Sequence, residues 1–226
     1  MELLDVRLAL LYSTIMFLSH EPFRRVCQRK QETDKWSETI NLIWLVVPTT
    51  IIWSMLLGYI WCYLLSQPGP NFDSPISIQY QKSVWIICFA IMLDSFTEAP
   101  YIIGQYFLFP KLRIIGDTTL IAIRSIFLCI AVVYIPSHAI LSYALGTFVS
   151  VFVISFIYYG YFYWYIHLNK TYEGSDNGKS KLPFKSIQEF FPNFKQFQIP
   201  TELTKITWSF FKQGILKQIL TEVKDI

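Results

Sequence analysis

Asp94 and Glu98 are the only charged residues between Val84 and Phe109, inside a long apolar run. Four apart in a helix, they share one face. An ionised side chain in hydrocarbon costs at least a few kcal/mol, so such residues pair with one another or mark a substrate route. Arg7 and Arg124 are the cations found in comparable apolar surroundings. Glu98 precedes Pro110 by about as many residues as Arg124 follows it, which puts the two at nearly the same depth across an antiparallel hairpin. A Glu98–Arg124 pair would either pin the two helices together or line a hydrated cavity. Asp94 then needs a partner of its own, and Arg7 is the remaining candidate.

A second set, Arg24, Arg25, Lys111 and Arg113, stands where apolar runs meet polar loops. Guanidinium groups grip phosphate through a two-pronged fork and ammonium groups bind it as point charges. These residues could receive the diphosphate of a lipid-linked substrate. The alternative is topology alone, since multispanning proteins place their positive charge at the cytosolic boundary. Signals of soluble catalysis are missing: no Gly-rich phosphate loop, no HExxH and no Ser/His/Asp arrangement. A membrane transferase using Asp94 or Glu98 as a base lacks a second acidic or histidine cluster at its depth. His20, His138 and His167 each sit at the end of an apolar run, where an interfacial position explains them. Cys62, Cys88 and Cys129 fall inside apolar runs and Cys27 in a basic loop, with no CxxC spacing, so all four read as structural thiols. No metal or cofactor is expected. The basic residues form no patch of nucleic-acid size.

The elements that must position these charges are membrane helices. Only 15% of the 226 residues are charged while 53% are apolar, against about a quarter charged in soluble domains. Thr39–Phe72 and Ser125–Asn169 contain no charged residue at all. About 20 apolar residues cross the hydrocarbon, so the second run is long enough to cross twice. The pattern predicts five spans: A over Leu3–Ser19, B over Ile40–Leu65, C over Val84–Phe109, D over Ile114–Ile135 and E over Ala139–Ile166. Short links, one holding Pro110 and one Pro136-Ser137-His138, make C–D and D–E antiparallel hairpins.

Lysine and arginine counts alternate between the loops, which places the A–B loop, the C–D loop and the C-terminal tail in the cytosol. The N-terminus, without a basic n-region or a small-residue cleavage site, is not a cleavable signal and would face the lumen. The aromatic run Tyr158–Tyr165 reads as an interfacial belt and Thr171–Lys181 as a flexible cytosolic linker. The acceptor Asn169-Lys170-Thr171 would then be cytosolic and unglycosylated. Leu203, Ile206, Phe210, Ile215, Ile219 and Val223 recur at nearly helical spacing with lysines between them. That is an amphipathic helix on the membrane surface or the opening of a further span.

VRLALLYSTIMFLSHEPFRR (Val6–Arg25), WSETINLIWLVVP (Trp36–Pro48), TWSFFKQGILKQILTE (Thr207–Glu222) and the weaker FPKLRIIGD (Phe109–Asp117) closely resemble the Rft protein family of the eukaryotic endoplasmic reticulum. The resemblance implies an all-α, multi-pass membrane protein that moves the mannose-rich oligosaccharide on dolichol diphosphate from the cytosolic to the lumenal leaflet, for N-linked protein glycosylation. It implies part of one lobe of the multidrug/oligosaccharidyl-lipid/polysaccharide exporter fold, whose two lobes alternate access around a central cavity. Residues 1–166 would be a partial lobe, 167–202 a linker and 203–226 an amphipathic helix or incomplete span. The chain would begin after the family's first helix and stop where its seventh begins. The partners implied are the bilayer, the dolichol-diphosphate oligosaccharide and glycosylation-pathway membrane proteins. The alternative is a non-transporting scaffold or an inactive truncated form. By position, Arg24 and Arg25 match the family's arginine pair, Lys111 and Arg113 its basic loop, and Asp94 and Glu98 its acidic positions. All six would line or flank the lipid-sugar route, with no covalent chemistry.

Overall fold

A computed structural model describes residues 2–28, 35–65, 75–107, 109–134, 139–172, 182–184, 186–192 and 200–224. Every regular element among them is helical: α1 (Glu2–Cys27), α2 (Trp36–Ile43), α3 (Val46–Tyr59), α4 (Pro75–Asp94), α5 (Glu98–Tyr106), α6 (Pro110–Tyr134), α7 (Ala139–Tyr172) and α8 (Thr201–Lys224). Among the described residues, four helical stretches are long and apolar enough to cross a membrane: Trp36–Leu64, Pro75–Tyr106, Pro110–Ala131 and Ile140–Leu168. The first predicted span, A, is not among those four. It is held instead by a stripe of buried residues, Leu8, Leu11, Ile15, Leu18, Phe23 and Val26, at helical spacing. The turn Pro136-Ser137-His138, the basic residues Arg29 and Lys30, the side chains of the Asn169-Lys170-Thr171 acceptor and most of the linker read over Thr171–Lys181 lie outside the described residues.

Prolines set the bends. Pro48 has no N–H to give the carbonyl of Trp44, and its ring crowds that carbonyl. The chain therefore tightens there, with Leu45 N–H donating to the Leu42 carbonyl at 3.1 Å and Val47 N–H to the Trp44 carbonyl at 3.2 Å, and span B splits into α2 and α3. Pro100 does the same to span C. Its ring faces the carbonyl of Phe96, and Ser95–Thr97 wind as a 3-10 turn between α4 and α5. The Tyr159 hydroxyl of α7 donates to that Phe96 carbonyl at 2.7 Å, supplying the hydrogen bond Pro100 cannot.

The centre of the bundle is α4. It packs on α1, α3 and α7, and 61% of its span's apolar window is buried, against 11% for α6. Leu8, Leu11, Tyr80, Val84, Ile87, Ile91 and Ala144 form one apolar cluster, and Ile103, Leu112, Ile154, Phe162, Phe184 and Phe190 form a second. The aromatic run divides between protein and membrane. Tyr158 and Phe162 are buried in the second cluster, while Tyr163 and Trp164 are exposed. A headgroup belt accounts for only part of it, because a helix carrying rings at consecutive positions shows them to every side. Phe190 and Phe184 bring the 182–192 stretch against α7, and Trp44 Nε1 donates to the Phe190 carbonyl at 2.9 Å.

The C-terminal helix, read as an amphipathic surface helix or the opening of a further span, lies along the bundle. Leu203 packs with Phe23 and Val26 of α1, whereas Gly214 and Lys217 meet Phe17, so α8 runs antiparallel beside α1. Cys27, Cys62 and Cys88 are buried, but Cys129 is exposed on α6, and it is not the buried thiol expected.

The α6–α7 contact depends on Gly146, where a Cβ would stand 2.8 Å from Phe127 Cβ, while Gly160 on the same helix has nothing within 4 Å. Gly146→Ala should therefore lower the unfolding free energy in detergent by about 1–3 kcal/mol. Gly160→Ala should leave it level or raise it by up to about 1 kcal/mol, and chemical denaturation of the two variants checks the contrast.

Candidate functional site

Glu98 opens α5, and the 3-10 turn decides where it points. Each 3-10 residue advances about 120° against about 100° in an α-helix, so three of them rotate the following face by about 60°. Glu98 thereby reaches α1. Arg24 Nε donates to Glu98 Oε1 at 2.5 Å and Arg24 Nη2 to Oε2 at 2.8 Å, a bidentate pair. Glu98 is 2% exposed and Arg24 23%. The guanidinium carbon also lies 4.2 Å above the ring of Tyr101, one helical turn along α5 from Glu98. His20, fully buried one turn before Arg24, brings Nε2 to 3.8 Å from Glu98 Oε2 and shares a 2.8 Å hydrogen bond between Nδ1 and Ser19 Oγ. His20, read as a residue at the end of an apolar run, is buried because the α1 face that carries it turns inward.

Glu98 therefore pairs with Arg24, and the expected Glu98–Arg124 pair does not form. Equal depth across a hairpin was a sound inference, but pairing also requires facing sides. Arg124 instead donates from Nη1 to the hydroxyl of Tyr143 on α7 at 3.2 Å, with its guanidinium 5.4 Å from that ring. Nor does Asp94 meet Arg7. Arg7 lies at the far end of α1, where its carbonyl accepts from Trp61 Nε1 at 3.3 Å and its charge stands near Tyr80.

Asp94 lines a cavity of about 130 Å³ with Tyr12, Arg24, Glu98, Asp117 and Tyr158. It is half-buried, feels the charges of Glu98 and Arg24, and accepts no hydrogen bond among the described residues. Tyr12 stands within electrostatic reach of Asp94, Arg124 and Arg24. Polar groups from α1, α4, α5, α6 and α7 thus converge on this one cavity.

A larger cavity of about 540 Å³ opens beside the first, among the ends of α1 and α5 and the start of α6. Its walls are mainly apolar, with Arg24, Arg113, Gln28, Gln105 and Tyr106 among the residues whose side chains can donate hydrogen bonds. Arg24 borders both cavities. Arg113 pairs with Asp117 at 3.7 Å, but both are more than half exposed, and such pairs contribute little. Of the second predicted set, then, Arg24 and Arg113 share a site. Arg25 is exposed and pairs with Glu21 at 2.8 Å, and Lys111 is exposed outside both cavities. Tyr12, Tyr101 and Asp117, which line the inner cavity, were passed over by the sequence reading, and His20, beside Glu98, was set aside as interfacial. Two had a visible signal, since Tyr101 follows Glu98 by one turn and Asp117 follows Arg113 by four residues.

The model of the Rft protein family matches residues 2–225. The chain belongs to the Rft protein family. It is similar to proteins named Man(5)GlcNAc(2)-PP-dolichol translocation protein RFT1. The Xenopus tropicalis protein is 34% identical over 97% of this chain and 39% of its own length. The Drosophila melanogaster protein is 32% identical over 97% and 43%, and the Mus musculus protein 31% identical over 97% and 39%. The chain therefore spans about two fifths of the length of these relatives. No solved structure matches it.

Breaking one side of a buried ion pair strands the other charge, at a cost of about 3–5 kcal/mol. A double-mutant cycle on Arg24→Gln and Glu98→Gln should show the double variant less destabilised than the sum of the singles by more than about 1 kcal/mol. The cycle on Arg124→Gln and Glu98→Gln should be additive within about 0.5 kcal/mol. Unfolding in detergent micelles measures both.

Proposed function

We propose that this chain is the part of a membrane transporter that meets the diphosphate of a lipid-linked oligosaccharide. The cargo is the mannose-rich oligosaccharide on dolichol diphosphate, moved from the cytosolic to the lumenal leaflet of the endoplasmic reticulum for N-linked glycosylation. The translocation named for the relatives supports the reading. The observation that carries it is the shared cavity of Arg24 and Arg113. A diphosphate needs converging donors beside an apolar wall that tolerates the lipid. Arg24 spends two donors on Glu98 of the five a guanidinium carries. Its charge is held in place and donors remain. Arg113, tied only to exposed Asp117, can exchange that weak partner for phosphate.

In this reading α1 crosses as a fifth span, and the ends of α1 and α5 and the start of α6 face the cytosol. Residues 1–166 form part of one exporter-type lobe, 167–202 connect, and 203–226 begin the next element. Asp94, Tyr12 and Arg124 continue the polar route inward. Translocation then needs positioning and movement, with no bond made or broken.

The test uses cells depleted of their own family member and supplied with a full-length relative whose matching segment is this chain. Reporter glycosylation should recover. Arg113→Ala, at unchanged abundance, should slow it about tenfold, the effect of losing one hydrogen-bonded charge contact. Arg25→Ala should change it less than about twofold. Full rescue by Arg113→Ala would contradict the proposal.

A further inference from the structure

On the other side of α1 lies a groove that the proposed route does not use. Its volume is about 440 Å³, and Phe23, Leu42, Pro48, Ile52, Trp53 and Phe211 line it together with the first turns of α8. The polar atoms at its surface are few, because Thr204 and Thr207 turn their hydroxyls back onto the carbonyls of Pro200 and Leu203 at 2.9 and 2.7 Å. Water in such a groove would find almost no hydrogen-bond partners. The groove is continuous with the outer face of α3, where Ile51, Ile52, Met55 and Leu56 are exposed on a segment apolar enough to cross the membrane. What reaches it from that side is hydrocarbon.

Charge stands at its edge. Trp208 of the lining is 60% exposed, and Lys212 Nζ lies 5.6 Å from its ring. Lys212 makes no ion pair among the described residues, whereas Lys205 is tied to Glu202 at 3.5 Å. Lys217 lies farther along the same helix, 5.8 Å from the Phe17 ring. An apolar trough with an unneutralised ammonium at its rim complements an amphiphile with a hydrocarbon chain and an anionic head. Basic pockets between membrane helices recognise lipid headgroups in this way.

We propose that the α1–α3–α8 groove is a binding site for an anionic glycerophospholipid, with one acyl chain against Trp53 and Phe211 and the phosphate at Lys212. The site is separate from the Arg24–Arg113 cavity. Phe23 and Arg24, consecutive on α1, serve one each. The lipid holds α8 against the bundle.

The experiment measures quenching of tryptophan fluorescence by acyl-brominated lipids in nanodiscs of phosphatidylcholine, with one fifth of the lipid replaced by brominated phosphatidylserine or brominated phosphatidylcholine. The Trp208 signal is isolated by difference from Trp208→Phe. The Trp208 contribution should be quenched by both lipids, with apparent affinity about fivefold higher for phosphatidylserine. Lys212→Gln should abolish the preference while leaving quenching by phosphatidylcholine intact, and Lys205→Gln should leave both unchanged. Equal quenching by the two lipids in the unmodified chain would overturn headgroup recognition. No quenching by either would mean that protein covers the groove, and it would overturn the site altogether.

Discussion

A carboxylate carried into hydrocarbon must bring its counter-charge with it, and Glu98 finds its own in Arg24, 74 residues away in sequence. The bidentate geometry ties the end of α1 to the start of α5, and the rest of the arrangement accommodates that tie. For Glu98 to face α1, the helix that carries it has to change phase after Asp94. Pro100 causes the change, and the carbonyl it leaves behind at Phe96 is taken by Tyr159 of α7. Thr97, inside the same turn, shares a 2.6 Å hydroxyl contact with Ser155, also on α7. The break in span C is therefore closed by hydrogen bonds from its neighbour, as a backbone without water requires.

Holding Arg24 in this way gives the bundle a fixed positive charge at the meeting point of two cavities. Asp94, four residues before Glu98, is left facing the inner cavity without a hydrogen-bond partner among the described residues. One carboxylate of the pair is structural and the other is available, though the sequence presents them as equivalents. The distinction arises from the turn between them, which points Glu98 at α1 and leaves Asp94 on the end of α4.

Much of this was legible beforehand. Four of the predicted spans coincide with helical stretches long and apolar enough to cross a membrane, and the rare charges within them, Asp94, Glu98 and Arg124, line a cavity or meet a polar group, though not the partners expected. What could not be read was azimuth. Spacing from Pro110 fixes depth along a helix, but the side on which Glu98 emerges depends on a 3-10 turn whose extent the neighbouring α7 helps set. Helix ends were also misjudged, because apolar composition marks the hydrocarbon and not the last hydrogen bond. Span A was expected to stop at Ser19 yet α1 continues to Cys27, and that extra length carries His20 and Arg24 into the bundle. The C-terminal segment shows a third limit. An amphipathic pattern says which face is apolar, but the partner was visible only once Leu203 and Gly214 were seen against α1.

The central claim is that Glu98 and Arg24 form one unit that orients α1 against α5, and charge reversal tests it most directly. Arg24→Glu and Glu98→Arg are each made alone and together, and the monodisperse fraction after detergent extraction is read by size-exclusion chromatography. The account predicts that each single reversal collapses that fraction and that the double reversal restores most of it, since the pair is rebuilt with its ends exchanged. A double variant no better than the singles, or recovery of Glu98→Arg by Arg124→Glu instead, would contradict it.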